Sequence, residues 1–216
     1  MSDEAQAQDV TKQDAAEEVA FREDMASIYC PKFSRGRKKN KVGGHALLLK
    51  TLSQYITMRE MAERFLPNTV LEVGARCGHV GYALNRGNPG LLYLGVDAWR
   101  TKSATEAAFL AHAKSMLSEQ EVKHVLLHFN LDRVKEIAGG GCDLVVLTGY
   151  TGKRAAHLEL AKNIAPIIIA DWYHKYPDPV DAFCTANSVT PEIINSADYD
   201  PGGSCDEVSY AIIDLS

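Results

Sequence analysis

Residues able to do chemistry concentrate in one stretch, Thr69 to Arg100, which reads TVLEVGARCGHVGYALNRGNPGLLYLGVDAWR. Glu72 stands two residues before Gly74, Gly78 follows, and Asp97 comes 23 residues after Gly74. Gly74 permits a sharp turn after a strand, and Gly78 permits close backbone approach to a ligand at a helix N-terminus. A carboxylate where the next strand stops suits the two hydroxyls of a ribose. The chemistry this implies is nucleoside binding. A dinucleotide fingerprint would read G-x-G-x-x-G, and Arg76 stands where its second glycine belongs. The plainer alternative is a tight strand-to-helix turn with Asp97 capping the segment after it.

Further polar and aromatic groups fall where later strands should end. They are His128, Phe129 and Asn130, then Thr148, Gly149 and Tyr150, then Asp171, Trp172, Tyr173 and His174. Such a concentration is what a cleft needs. Asn130 suits an adenine amino group, with a helix N-cap as the equal alternative. Asp171 and His174 are candidate acid and base, against the plainer reading of a solvated loop histidine.

The elements that must position these residues alternate along the chain. A helix is predicted over His45 to Leu66, with Leu48, Leu52, Tyr55, Ile56, Met61, Ala62 and Phe65 broadly on one face. Apolar runs predict strands ending at Val73, Val96, His128, Leu147 and Ala170, with helices between them. Weaker strands are expected around Pro191–Asn195 and Glu207–Leu215. This alternation predicts an α/β, Rossmann-like, doubly wound sheet of about seven mostly parallel strands with helices on both faces. Functional residues then gather at the carboxyl ends of the strands.

The chain has 216 residues, of which 46% are hydrophobic and 24% charged, the balance of one globular domain plus a tail. No apolar run reaches the length of a membrane span and no apolar leader is present, so a cytoplasmic protein is expected. Cys30, Cys77, Cys142, Cys184 and Cys205 are scattered without any C-x-x-C pattern, which supports neither a zinc site nor a disulfide framework. The first 42 residues form an acidic and then basic extension, expected to be partly disordered, with residues 43–216 as the folded domain. Its basic run, Lys32 to Lys41, reads as a solvated loop, a lid over the cleft, or a phosphate patch. Net charge of −5 disfavours nucleic acid as a partner.

The pattern LEVGARCGHVG followed by LGVDAW resembles motif I and the ribose acid of class I S-adenosylmethionine-dependent methyltransferases. The similarity is greatest to the branch with E-h-G-x-x-x-G and D-G-x-H motifs (methyltransferase-24-like), and it covers about residues 45 to 185. It implies S-adenosylmethionine as cofactor, with Glu72 orienting the methionine end. Glu72, Gly74, Ala75, Gly78, Asp97, Ala98, Trp99 and Asn130 would line that cofactor, and Asp171 and His174 would be the catalytic candidates. In relatives, strand-four and strand-five acids can hold a divalent cation and a motif histidine can act as base. Here Thr148 and Thr151 stand at two of those places. The expectation is therefore a metal-independent methyltransferase acting on a small-molecule acceptor. The alternatives are a nicotinamide-dependent oxidoreductase, a catalytically degenerate binding or scaffold protein, and an RNA-directed enzyme using residues 32–41.

Overall fold

The computed structural model describes residues 19–20, 41–42, 45–46, 52–99, 104–128, 134, 136, 141–149, 151–199 and 208–216. The chain divides into two compact units, residues 1–48 and 49–216. In the first, Lys41–Val42 pairs antiparallel with His45–Ala46. This corrects the helix expected to begin at His45. Two glycines linking two extended pairs have the composition of a hairpin, and local turn chemistry prevails there over the apolar period. Apart from residues 19–20, the rest of the expected extension, including the basic run up to Asn40, lies outside the described residues.

The second unit is built on a seven-stranded sheet. Its strands are β1 (Thr69–Val73), β2 (Leu92–Asp97), β3 (His124–His128), β4 (Leu144–Leu147), β5 (Ile167–Ala170), β6 (Glu192–Asn195) and β7 (Ser209–Asp214). The spatial order is β3-β2-β1-β4-β5-β7-β6. Strands β1 to β5 pair in parallel and β7 is antiparallel to both β5 and β6, so six strands run one way and β7 the other. The doubly wound sheet expected from the alternation is the one observed. Helices α1 (Leu52–Phe65), α2 (His79–Gly87), α3 (Ala104–Glu119), α4 (Arg154–Lys162) and α5 (Asp178–Asn187) accompany it, with a short α6 (Ser196–Tyr199) after β6.

The core follows from strand periodicity. Leu71, Val73, Leu94, Val96, Val145, Leu147 and Ile168 share one face, packed with Leu158 and Ala161 of α4 and Val180 and Phe183 of α5. Val70, Glu72, Tyr93, Val146 and Ile169 point the other way and are equally buried. Central parallel strands buried on both faces need continuous apolar runs, which LVVL and IIIA supply. Each such side chain contributes about 1.5–3 kcal/mol on burial. Within α1, Tyr55, Ile56, Met61 and Ala62 are buried as the period predicts. Among the described residues, no helix is long and apolar enough to cross a membrane.

Chain order reverses at β1, flanked by β2 on one side and β4 on the other. The crevice at the carboxyl ends of these strands is the expected ligand position in such sheets.

Candidate functional site

Gly74 ends β1 with φ +108°. A Cβ there would lie 1.6 Å from the Thr148 carbonyl oxygen, so only glycine fits between β1 and β4. The loop then folds onto the end of β2. The amides of Gly74 and Ala75 both donate to the Val96 carbonyl, at 2.8 and 3.2 Å, and Gly78 donates to the Ala75 carbonyl at 2.7 Å. Arg76, at φ +39°, donates its backbone N–H to Asp97 Oδ2 at 2.9 Å. Asp97 Oδ1 accepts from the Ala98 amide at 2.6 Å, and Trp99 Nε1 donates to the Arg76 carbonyl at 2.9 Å. Loop, acid and tryptophan are thus one hydrogen-bonded unit. Four loop amides are already committed inside the protein, so the loop is not an amide cradle for a pyrophosphate.

Gly78 has a different reason to be glycine from the one its spacing suggests. At φ +76° it opens α2, and a Cβ would press on Leu117 and Ala113 of α3 at 3.0–3.3 Å. It allows helix-to-helix approach. Trp99 is buried under the loop with the His128 ring edge-on at 6.4 Å, so it braces the site's floor. Asn130 lies outside the described residues.

Glu72 is 1% exposed, and its partners come from two neighbouring strands. Tyr93 Oη donates to Oε2 and Thr148 Oγ1 to Oε1, each at 2.5 Å. The threonine at the expected acid position therefore complements the motif glutamate, where a second carboxylate would repel it. Sequence reasoning missed Tyr93. The available signal was Gly95 two residues later, since a glycine inside a central strand marks space taken by a bulky neighbour.

Asp171 and His174 each have their own structural partner. Asp171, at the end of β5, pairs in the interior with Arg154, whose guanidinium reaches Oδ1 at 2.6 Å and the Leu147 carbonyl at 2.7 Å. The Gly149 amide also donates to Oδ1, at 3.3 Å. A carboxylate held by a guanidinium inside the protein is a clamp across the ends of β4 and β5. With Thr148 beside it and Arg154 against it, this edge does not fit a divalent cation, which needs several oxygen donors and no competing cation. Among the described residues, no group of three or more His, Cys, Asp or Glu is arranged to hold a metal ion. His174 is exposed, and its Nδ1 accepts the Ser209 N–H at 3.2 Å. The neutral ring then carries its proton on Nε2 and presents a donor. Trp172 between them adopts φ +59°, with the Lys175 ammonium 4.3 Å from its ring centroid.

A second buried chain of polar groups lies behind the loop. Tyr55 of α1 approaches His79 Nδ1 at 3.3 Å, and His79 Nε2 approaches His112 Nε2 of α3 at 3.2 Å. Burial, and then the neighbouring His112 ring, push the His79 imidazole down to about 3. Burial also lowers His112, against the opposing charge of Glu119. The unfolded imidazole titrates near 6.5, so between there and about 3 the unfolded chain binds more protons than the folded one. Stability from His79 is complete above pH 6.5 and is lost on acidification, by up to about 1.4 kcal/mol per pH unit for one proton. Urea midpoints between pH 7 and 4 should fall more steeply for the wild type than for His79→Asn. Parallel curves would show that folded His79 protonates at its ordinary pH.

Comparison with known proteins bears on the fold. No family model matches the chain, and no curated protein matches it in sequence. Solved structures do. The O-methyltransferase of Bacillus cereus in complex with SAH (S-adenosylhomocysteine) is 13% identical, with 92% of this chain and 90% of that one covered, at a TM-score of 0.57. The O-methyltransferase TomG of Streptomyces achromogenes, in complex with SAM (S-adenosylmethionine), is 14% identical over 90% and 89%, at 0.58. The SAH-bound Podospora anserina methyltransferase PaMTH1 is 13% identical over 98% and 96%, at 0.54. The chain has the fold these three share.

Proposed function

We propose that the chain is a SAM-dependent methyltransferase acting on a small-molecule acceptor, within the branch carrying E-h-G-x-x-x-G. The observation that carries this reading is the joint between Asp97 and the glycine loop. It puts a carboxylate at the switch point of the sheet while committing the loop amides that a dinucleotide's pyrophosphate would need. Three structural neighbours with SAH or SAM bound support the same reading.

A bound SAM supplies an already activated methyl group. The protein's own part is to bind, orient and exclude water. Asp97 would hold the ribose hydroxyls through its carboxylate. Ala75, Ala98 and the Gly74–Gly78 loop would shape the nucleoside floor over Trp99, with Glu72 and Asn130 as further cofactor contacts. His174 would contribute its Nε2 at the acceptor side. Asp171 would act through the clamp and need not exchange a proton. Nothing in this arrangement calls for a metal ion.

Asp97→Ala is expected to weaken SAH binding by about 1.5–3 kcal/mol, the range for hydrogen bonds to a charged group. Calorimetric titration measures this, and thermal unfolding of the unliganded variant reports separately on the loss of the Arg76 and Ala98 contacts. Affinity equal to wild type would place the ribose elsewhere. Binding of NAD in place of SAH would overturn the class.

A second reading has an observation of its own. The Asp171–Arg154 pair and the Nε2-protonated His174 leave neither candidate presented as a free base, which suits a SAM-binding protein that does not turn over. SAH binding without methyl transfer to any acceptor, set against transfer that falls in a His174→Ala variant, separates the two.

A further inference from the structure

We infer that Tyr93 is the positioning residue for the Glu72 carboxylate and so sets the preference for the ammonium group at the amino-acid end of the cofactor; this rests on the SAM reading above. In register, Glu72 lies between Gly95 of β2 and Val146 of β4. Its two oxygens are taken from opposite sides, Oε2 by Tyr93 and Oε1 by Thr148. Both donors are neutral hydroxyls, so what they supply to the carboxylate is direction.

Two glycines make room for this contact. A Cβ on Gly81 of α2 would lie 2.7 Å from the Tyr93 ring, and one on Gly95 would lie 2.7 Å from Leu126 of β3, 2.9 Å from the ring and 3.0 Å from its hydroxyl. The ring is fully buried in that slot. Glycine inside a helix and inside a strand is destabilising relative to alanine. Gly81 faces the ring alone and Gly95 shares its space between the ring and Leu126, and together they leave the slot through which the hydroxyl reaches Glu72. Burial, and then the charge of Glu72, push the Tyr93 phenol well above 10, which keeps it a donor at all working pH. Filling the slot alone would need only a phenylalanine.

That difference is the test. SAH and 5′-methylthioadenosine share the adenosine and the thioether, and only SAH carries the amino-acid end. Calorimetric dissociation constants for both are measured with the full chain, as wild type and as Tyr93→Phe. The expected result is that the variant loses about tenfold in SAH affinity while 5′-methylthioadenosine changes less than twofold. An equal fall for both ligands would assign Tyr93 to the general shape of the loop, and no change for either would make it a filler; both overturn the inference. Should Tyr93→Phe fail to fold, Thr148→Val removes the opposite donor and must show the same selective loss. A wild type that binds the two ligands equally overturns the inference and leaves the nucleoside reading standing. A wild type that binds neither removes the cofactor reading itself.

Discussion

Arg154→Met is expected to destabilise the fold by about 3–5 kcal/mol, the cost of leaving a buried charge without its partner. Both side chains of the Arg154–Asp171 pair are 1% exposed. The same guanidinium satisfies the carbonyls of Leu147 and Asp171, so its loss strands two strand-end acceptors as well. Adding Asp171→Asn to Arg154→Met removes the stranded charge and should recover part of the loss. Urea unfolding of the three proteins is the measurement. A penalty below about 1 kcal/mol for the single variant would show that other groups compensate Asp171. Asp171→Asn as a single variant bears on chemistry. If Asp171 serves as a clamp, Asp171→Asn loses stability and retains residual transfer. If it serves as a base, the variant stays folded and transfer disappears.

Gly74→Ala should remove cofactor binding and lower stability together. The added methyl group meets a backbone carbonyl at 1.6 Å, and no side-chain rotation can relieve that. Alanine is also disfavoured at φ +108°. Relief requires β1 and β4 to separate where Thr148 bonds Glu72 and where its amide donates to the Val73 carbonyl. A cost on the order of 3–5 kcal/mol and more than a hundredfold loss of SAH affinity are expected, as for strain forced into a packed strand end. Gly78→Ala is the control. Its added methyl meets the flexible end of Leu117, so the effect should be smaller despite the positive φ. Wild-type affinity in Gly74→Ala would mean that the loop is not the cofactor's floor.

Local demands explain what was legible in the residues. LVVL and IIIA are strands because only a sheet covered on both faces takes uninterrupted apolar runs of that length. Gly74 and Asp97 were recognisable because a turn and a strand-end carboxylate are set by neighbouring backbone. The start of α1 was misread at His45, because the glycine pair beside it favours an extended turn that apolar periodicity does not register. Asp171 and His174 looked alike from their neighbours, yet one is buried against a guanidinium and the other stands exposed over Ser209.

The succession of strands and helices along the chain, the glycine turn and the strand-end acid each depend on residues close together in the chain, so they were readable from the residues alone. Tertiary structure alone decided what those residues touch. Glu72 meets Tyr93 and Thr148 across 21 and 76 residues, and Arg154 reaches Asp171 across 17. Nothing local marks Arg154, which follows Lys153 at the start of a helix as a surface cation would. Whether a charge is solvated, clamped or offered to a ligand depends on which strand ends meet around it, and that meeting exists only once the sheet has formed.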